Sequence, residues 1–299
     1  MSYHVPVLLK ESVDALGIKP GGVYVDVTFG GGGHSGEILR RLDSRGKLYA
    51  FDQDPDAHKN KPADERLTLI RGNFKYMRGY LREQGVEAVD GILADLGISS
   101  HHIDTPERGF SFRFTGGLDM RMNTSATLSA KEVVNSYPHE RLTYIFREYG
   151  EVDKPHKVAG LITAAREVSP INTIEELMRV LEPFTPKIQA SKFLAKVFQA
   201  IRIEVNGEME SLAMMLEQSG KMLKEGGYLA VITYHSLEDR MVKNFMKTGN
   251  VEGIAQKDFF GKITNPFVLV NRKPIEPTEE EQNLNTRSRS ARLRVIQKV

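Results

Sequence analysis

The sequence predicts an α/β fold: a mostly parallel sheet with helices on its faces, interrupted by an all-helical insertion. Three observations predict it. β-rich apolar runs alternate with helical stretches over about the first hundred residues, no strong strand pattern occurs between residues 105 and 225, and strand patterns return from residue 223 onward.

The N-terminal runs are VYVDV (23–27), KLYAFD (47–52), LTLIRG (67–72) and VDGILADLG (89–97). They are continuously apolar rather than alternating, as strands buried on both faces require. GEILRRLD, DPDAHKN and FKYMRGYLREQG supply the helices between them. After residue 104, ERGFSFRFTGGLDMRMN reads as a loop, with glycine and charge mixed among phenylalanines. SAKE (129–132) and TIEE (173–176) are S/T-x-x-E capping boxes that open helices. HERLTYIFREYG, KPHKVAGLITAARE and TIEELMRVLE have helical spacing, and residues 190–224 suit one or two long helices broken near Asn206-Gly207. LKEGGYLAVITYHS (223–236) reads as a helix end, a Gly-Gly turn and a buried strand. PFVLVNRKP (266–274) and ARLRVIQKV (291–299) follow as β-rich segments, with PTEEEQNLN between them as a solvent loop. The expected division is residues 1–104 and 206–299 for the α/β domain and 105–205 for the helical insert.

Composition narrows the function. The 299 residues allow one large domain or two ordinary ones, and 40% hydrophobic with 27% charged residues is ordinary for a soluble globular chain. A net charge of only +2 means that any nucleic-acid binding needs a local basic patch. The absence of cysteine removes disulfides, CxxC zinc sites and a cysteine nucleophile. MSYHVPVLLKES has no apolar signal core, and no run of about 18 apolar residues occurs. The expectation is a cytoplasmic enzyme or binding protein with no membrane partner.

The stretch richest in chemistry is YVDVTFGGGGHSGEI (24–38). A phosphate-gripping loop needs G-x-x-x-x-G-K-[ST]; Gly31 and Gly36 have the spacing, but Glu37 stands where lysine belongs. A G-x-S-x-G nucleophile elbow is missed by one residue at Gly33-His34-Ser35-Gly36. G-x-G-x-x-G does fit at Gly31, Gly33 and Gly36, and Asp52 ends the next strand about 20 residues on, where an acid holds ribose hydroxyls. Nicotinamide or flavin enzymes and S-adenosylmethionine methyltransferases share that pattern, and four glycines in a row match it easily. Asp26, just before the loop, favours the second class. A carboxylate there repels a pyrophosphate but suits a ligand carrying an ammonium and a sulfonium. Asp26 could equally cap the turn, so both classes stay open on these residues. Asn73-Phe74 follows the third strand, where an aromatic can stack on adenine, and Asp95 ends the fourth at the edge where open α/β sheets bind ligands.

Six segments in order, TFGGGGHS, DLGISS, ERGFSFRFTGGLDMRM, FQAIRIEVNGE, YHSLEDR and NTRSRSARLR, together resemble the bacterial 16S ribosomal RNA cytosine-N4 methyltransferases, the MraW family. The resemblance covers nearly the whole chain, starting with HVPVLLKE. It implies a class I methyltransferase fold, a Rossmann-like sheet with an inserted helical domain for substrate recognition. It also implies methyl transfer from S-adenosylmethionine to N4 of a cytidine in the decoding region. Carried over by position, Gly32, Gly33 and His34 would contact the cofactor, Asp52 would hold its ribose, Phe74 would lie by the adenine and Asp95 near the adenine or methionine end. His102 falls where the family pattern has glutamine. The implied partner is 16S rRNA or the small ribosomal subunit; a homodimer is left open.

A cytosine amine is a poor nucleophile because its lone pair is delocalised into the ring, so the enzyme must accept its N–H bonds, align it and exclude water. Asp95 and His235 are the candidate catalytic residues, each with a bland alternative: Asp95 a loop-capping acid, His235 a histidine holding its turn through Glu238 or Asp239. The loop Asp95-Leu-Gly-Ile-Ser-Ser, which includes Ser99, is the candidate acceptor loop. Phe110, Phe112 and Phe114, interleaved with Arg108 and Arg113, form either a base-stacking lid or a packed segment of the insert. Arg287, Arg289, Arg292 and Arg294 either contact RNA phosphates or form a solvated strand face; Lys187, Lys192 and Lys196 are a weaker version. His101-His102 has no further ligands at metal spacing, so no metal is expected. The rival functions are an NAD(P)-dependent oxidoreductase and a non-catalytic RNA-binding ribosome assembly factor.

Overall fold

The computed structural model describes residues 6–261 and 263–299, so His4 and Val5, which open HVPVLLKE, lie outside the described residues. The chain folds as two compact units, Met1–Gly97 with Met209–Val299, and Ile98–Glu208.

The first unit is built on a sheet. Its strands are β1 (Val23–Asp26), β2 (Lys47–Asp52), β3 (Leu67–Arg71), β4 (Val89–Asp95) and β5 (Leu223–Thr233). A short separate hairpin, β6 (Gln256–Lys257) with β7 (Ile263–Thr264), precedes β8 (Phe267–Leu269) and β9 (Arg292–Lys298). Among the described residues, seven strands form one sheet in the order β3-β2-β1-β4-β5-β9-β8. The first five are parallel, and β9 runs antiparallel between β5 and β8.

Strand residues point alternately to the two faces, and both faces are covered. Val25, Ile92, Leu229 and Val231 enter one core; their neighbours Tyr24, Leu93, Ala230 and Ile232 enter the other. On the first face lie α3 (Met77–Glu83), most of α10 (Glu208–Met222) and α11 (Ser236–Thr248), through Leu81, Met215 and Phe245. On the second lie α1 (Leu9–Asp14) and α2 (Gly33–Arg41), through Val13 and Ile38. Strand order runs outward from β1 to β3, then returns to β4 beside β1. The carboxyl ends of β1 and β4 therefore flank the reversal point where such sheets open a ligand crevice.

Three expectations are corrected. PTEEEQNLN is no loop: it contains α12 (Glu279–Leu284), whose first turn holds three glutamates and whose Thr278 side chain accepts the Glu281 N–H. Acids there face the positive end of the helix, so an acidic run suits a helix start. DPDAHKN forms only a single 3₁₀ turn, Ala57–Asn60. β5 begins at Leu223, before the Gly226-Gly227 pair, and the register against β4 shifts between Val89 and Gly91 to absorb it.

The second unit is helical. It contains α4 (Ser100–Asp104), α5 (Ala130–Ser136), α6 (His139–Glu148), α7 (Pro155–Val168), α8 (Ile174–Leu181) and α9 (Ala190–Asn206) around Val133, Phe146, Ile162, Leu177 and Ile201. Capping boxes at Ser129/Glu132 and Thr173/Glu176 start α5 and α8. Gly207, at φ +57°, separates α9 from α10. The loop before α5 is pinned by Asn206, which accepts from Met122 N–H and donates to the Met120 carbonyl, each at 2.8 Å. Among the described residues, no helix is long and apolar enough to cross a membrane.

Candidate functional site

The glycine loop joins β1 to α2 at the reversal point. Gly32 takes φ +78° as the residue before α2, and its N–H bonds the Phe29 carbonyl at 2.7 Å. Gly33 is needed for space: a Cβ there would lie 2.1 Å from Cγ of Pro6. The sequence suggests that the glycines admit a ligand; at Gly33 they also admit the N-terminal segment.

Asp26 is fully buried at the end of β1. Its Oδ2 accepts from the Ser35 hydroxyl at 2.6 Å and its Oδ1 from the Thr28 N–H at 3.0 Å. Oδ2 thus ties the end of β1 to α2 and Oδ1 holds the start of the loop. Asp52 ends β2 only partly buried; its Oδ2 accepts Gly30 N–H and its Oδ1 accepts Asp54 N–H, each at 2.8 Å. Phe74 is half-buried one residue after Asn73, whose side chain donates to Gln53 at 3.1 Å and so links the ends of β3 and β2.

Asp95, at the end of β4, is the centre of a small network. Its side chain is 22% exposed. Oδ1 accepts the Tyr234 hydroxyl at 2.7 Å, the backbone N–H donates to Thr28 Oγ1 at 2.7 Å, and Oδ2 lies 3.6 Å from Nδ1 of His34. The other ring nitrogen of His34 is 3.2 Å from the Val7 carbonyl, which can only accept, so Nε2 carries a proton. Burial pushes the Asp95 carboxyl above its ordinary value; His34 and Tyr234 counteract it, and Asp26 and Glu238 reinforce it.

His235 takes the bland alternative. It is the N-cap of α11: Nδ1 accepts the Glu238 N–H at 3.4 Å, and Glu238 accepts in return from the N–H groups of Tyr234 and His235. Arg294 of the C-terminal cluster is paired internally, donating to Asp239 at 2.6 and 3.0 Å, with Arg292 at 3.5 Å from the same carboxylate. Arg289 is exposed.

In the helical unit the packed alternative wins for most of the phenylalanine run. Arg108 is buried and donates to the Arg121 and Met122 carbonyls at 3.0 and 3.1 Å; Phe110 is buried against His102, ring centroids 4.8 Å apart. Phe112 packs edge-on to Phe198. Arg113 and Phe114 stay exposed. Ser99 caps α4 by accepting the His102 N–H at 3.2 Å.

The site is thus an edge carrying Asp52 and Asp95 beside a glycine loop with no lysine. From residue 1 to residue 299 the chain matches the MraW methylase family. It belongs to that family. A ribosomal RNA small subunit methyltransferase H from Phocaeicola vulgatus is 60% identical over 296 residues, covering 99% of this chain and 97% of that one. Proteins of the same description from Parabacteroides distasonis and Flavobacterium johnsoniae are 57% and 53% identical, with 98% and 99% of their lengths covered. An rRNA methylase structure from Streptococcus thermophilus aligns over 99% of both chains with a TM-score of 0.44 at 14% identity. Membership of the MraW methylases leaves the NAD(P)-dependent oxidoreductase and the non-catalytic assembly factor without support. The sequence missed Tyr234; its signal was its place beside His235 at the end of a buried strand.

Proposed function

We propose that this MraW-family protein transfers a methyl group from S-adenosylmethionine to the exocyclic N4 of a cytidine in the decoding region of 16S rRNA. The observation that carries the reading is the acidic edge: Asp52 and Asp95 end the two strands that flank β1, and no lysine or arginine lies in the glycine loop to hold a phosphate. Such an edge favours a ligand with an ammonium and a sulfonium.

The residues that would hold it are Gly32, Gly33 and His34 in the loop, Asp52 at the ribose, Phe74 against the adenine, and Asp95. Asp26 stays outside this set because it is fully buried where Asp52 is only partly so, and His102 because its ring is stacked on Phe110. When bound, S-adenosylmethionine supplies an electrophilic methyl on sulfur. The chain's part is positional and electrostatic: Asp95 accepts from the acceptor amine, holds nitrogen in line, and receives or passes on the one proton that nitrogen sheds as its N–C bond forms. Arg113, Phe114 and Arg289 are the exposed candidates for RNA contact, and the helical unit is assigned to substrate recognition. The protein acts in the cytoplasm, where its substrate is.

Labelled S-adenosylmethionine with small-subunit particles from a strain lacking the enzyme, followed by nucleotide mapping, tests the reading. Label at N4 of a single cytidine supports it; label at C5, at a 2′-hydroxyl or on another base overturns it.

A further inference from the structure

We propose that Tyr234 is the positioning residue of the methyl-transfer site: its hydroxyl fixes Asp95 so that Oδ2 is the oxygen offered to the acceptor amine. The proposal rests on the methyltransferase reading above and adds to it a residue and a division of labour within the carboxylate.

The geometry separates the two oxygens of Asp95. Oδ1 is taken by the Tyr234 hydroxyl at 2.7 Å. Oδ2 has the His34 ring at 3.6 Å, beyond hydrogen-bond distance, and so keeps its lone pairs for an incoming N–H. Tyr234 is itself held from three directions. Its backbone N–H donates to Glu238 Oε2 at 2.8 Å. Its ring packs where Gly97, at φ +97°, leaves room: a Cβ there would sit 3.3 Å from Cδ2 of the tyrosine. Its hydroxyl is committed to Asp95. On the far side, Thr28 Oγ1 accepts the Asp95 N–H. The Asp95 backbone is held by Thr28 and its carboxylate cannot turn without breaking the Tyr234 bond, which is what a precisely aimed acceptor needs.

The hydrogen bond also acts on charge. An ionised Asp95 can accept from an amine; a protonated one presents a hydrogen toward another hydrogen. The groups facing Asp95 are His34 from α2, Asp26 from the end of β1, Glu238 from α11 and Tyr234 itself, which also faces Glu281 of α12. Burial and the two acids disfavour the ionised form, while His34 and the Tyr234 hydroxyl favour it. Removing the hydroxyl therefore raises the pH at which Asp95 ionises.

The experiment compares wild type, Tyr234→Phe, Asp95→Asn and the double variant. Methyl transfer is measured across pH on small-subunit particles lacking the modification, and S-adenosylmethionine affinity by calorimetry. Phenylalanine keeps the packing on Gly97, so the fold is retained, and the calorimetry separates any change in cofactor affinity from the change in kcat. The expected result is a kcat lowered about ten- to a hundredfold, as loss of a hydrogen bond to a charged group gives. The acid limb of the profile moves to higher pH, and the tyrosine change causes no further loss once Asp95 is Asn. A Tyr234→Phe profile with an unmoved acid limb, or a full loss on the Asp95→Asn background, overturns the proposal and leaves the methyltransferase reading standing. Wild-type protein that binds the cofactor but methylates no RNA overturns that reading instead.

Discussion

Oδ2 of Asp52 accepts the Gly30 N–H at 2.8 Å, so the acid at the end of β2 holds the glycine loop that leaves β1. The same carboxylate is the one assigned to the cofactor's ribose. One residue therefore orders the loop and is also assigned to the ligand. Asp52→Ala removes both. The expected outcome is about a ten- to hundredfold rise in the dissociation constant for S-adenosylmethionine, the effect of losing charge-assisted hydrogen bonds. Asp52→Asn retains an acceptor oxygen and loses less. Titration calorimetry of the three proteins checks the order; equal affinities for all three would remove Asp52 from the ribose.

Gly33→Ala forces a Cβ into Pro6, 2.1 Å from its Cγ. Backbone must move, at a cost of about 1–3 kcal/mol for overpacking. The expected result is a lower melting temperature and faster hydrogen exchange at residues 7 to 9. Pro6→Ala in the same chain should restore much of the loss, because it removes the atom struck. A Gly33→Ala melting curve that superimposes on wild type would show that the N-terminal segment does not rest on the loop.

How much of this was legible in the sequence depends on what each feature rests on. The five parallel strands were visible because both faces are buried, so Ile92, Leu93 and Ala94 of β4 follow one another with no polar residue between them. The capping boxes at Ser129 and Thr173 were visible because their chemistry is local. α12 was hidden because its acids, counted as a solvated run, are what a helix start accommodates. In the site, the acids at strand ends followed from strand ends alone. The fates of Asp26, Arg108 and Arg294 did not, because each depends on a partner distant in sequence or aim that no pattern reports: Ser35, the Arg121 carbonyl and Asp239. Tyr234 was masked by the histidine next to it, which draws notice in a candidate active site but here caps a helix.

Arg289 and Arg294 lie five positions apart and should behave differently. Arg294 is paired with Asp239, and both side chains are 12% exposed. Burial works to raise the Asp239 carboxyl, but the Arg294 hydrogen bonds and the charges of Arg294 and Arg292 outweigh it and leave it below its ordinary value. A depressed carboxyl contributes stability above its unfolded value, near 3.9, and loses that contribution as pH falls through the folded value. Arg294→Ala strands Asp239 and should cost about 3 kcal/mol at neutral pH, with the difference from wild type shrinking in acid. Arg289→Ala should leave stability unchanged and weaken RNA binding, lowering the salt slope by about one counterion. Denaturation across pH and binding across salt concentration separate the two. An Arg294→Ala protein as stable as wild type would show that the pair adds nothing to the fold.

His235 offers the sharpest contrast between a structural and a chemical role. It caps α11 through Nδ1 and faces Glu238, which accepts the N–H groups of Tyr234 and His235. Asparagine is among the best N-cap residues and has no imidazole; alanine is among the poorest. If His235 serves only to cap, His235→Ala costs about 1 kcal/mol and His235→Asn recovers it. Methyl transfer should follow the same order, because Tyr234 leaves the same turn and any loosening of α11 reaches Asp95 through it. A histidine that moves a proton gives a different result: His235→Asn would then be as stable as wild type and yet as slow as His235→Ala. Melting temperature and kcat measured on the same three proteins decide between the roles, and the cap geometry predicts that stability and rate recover together.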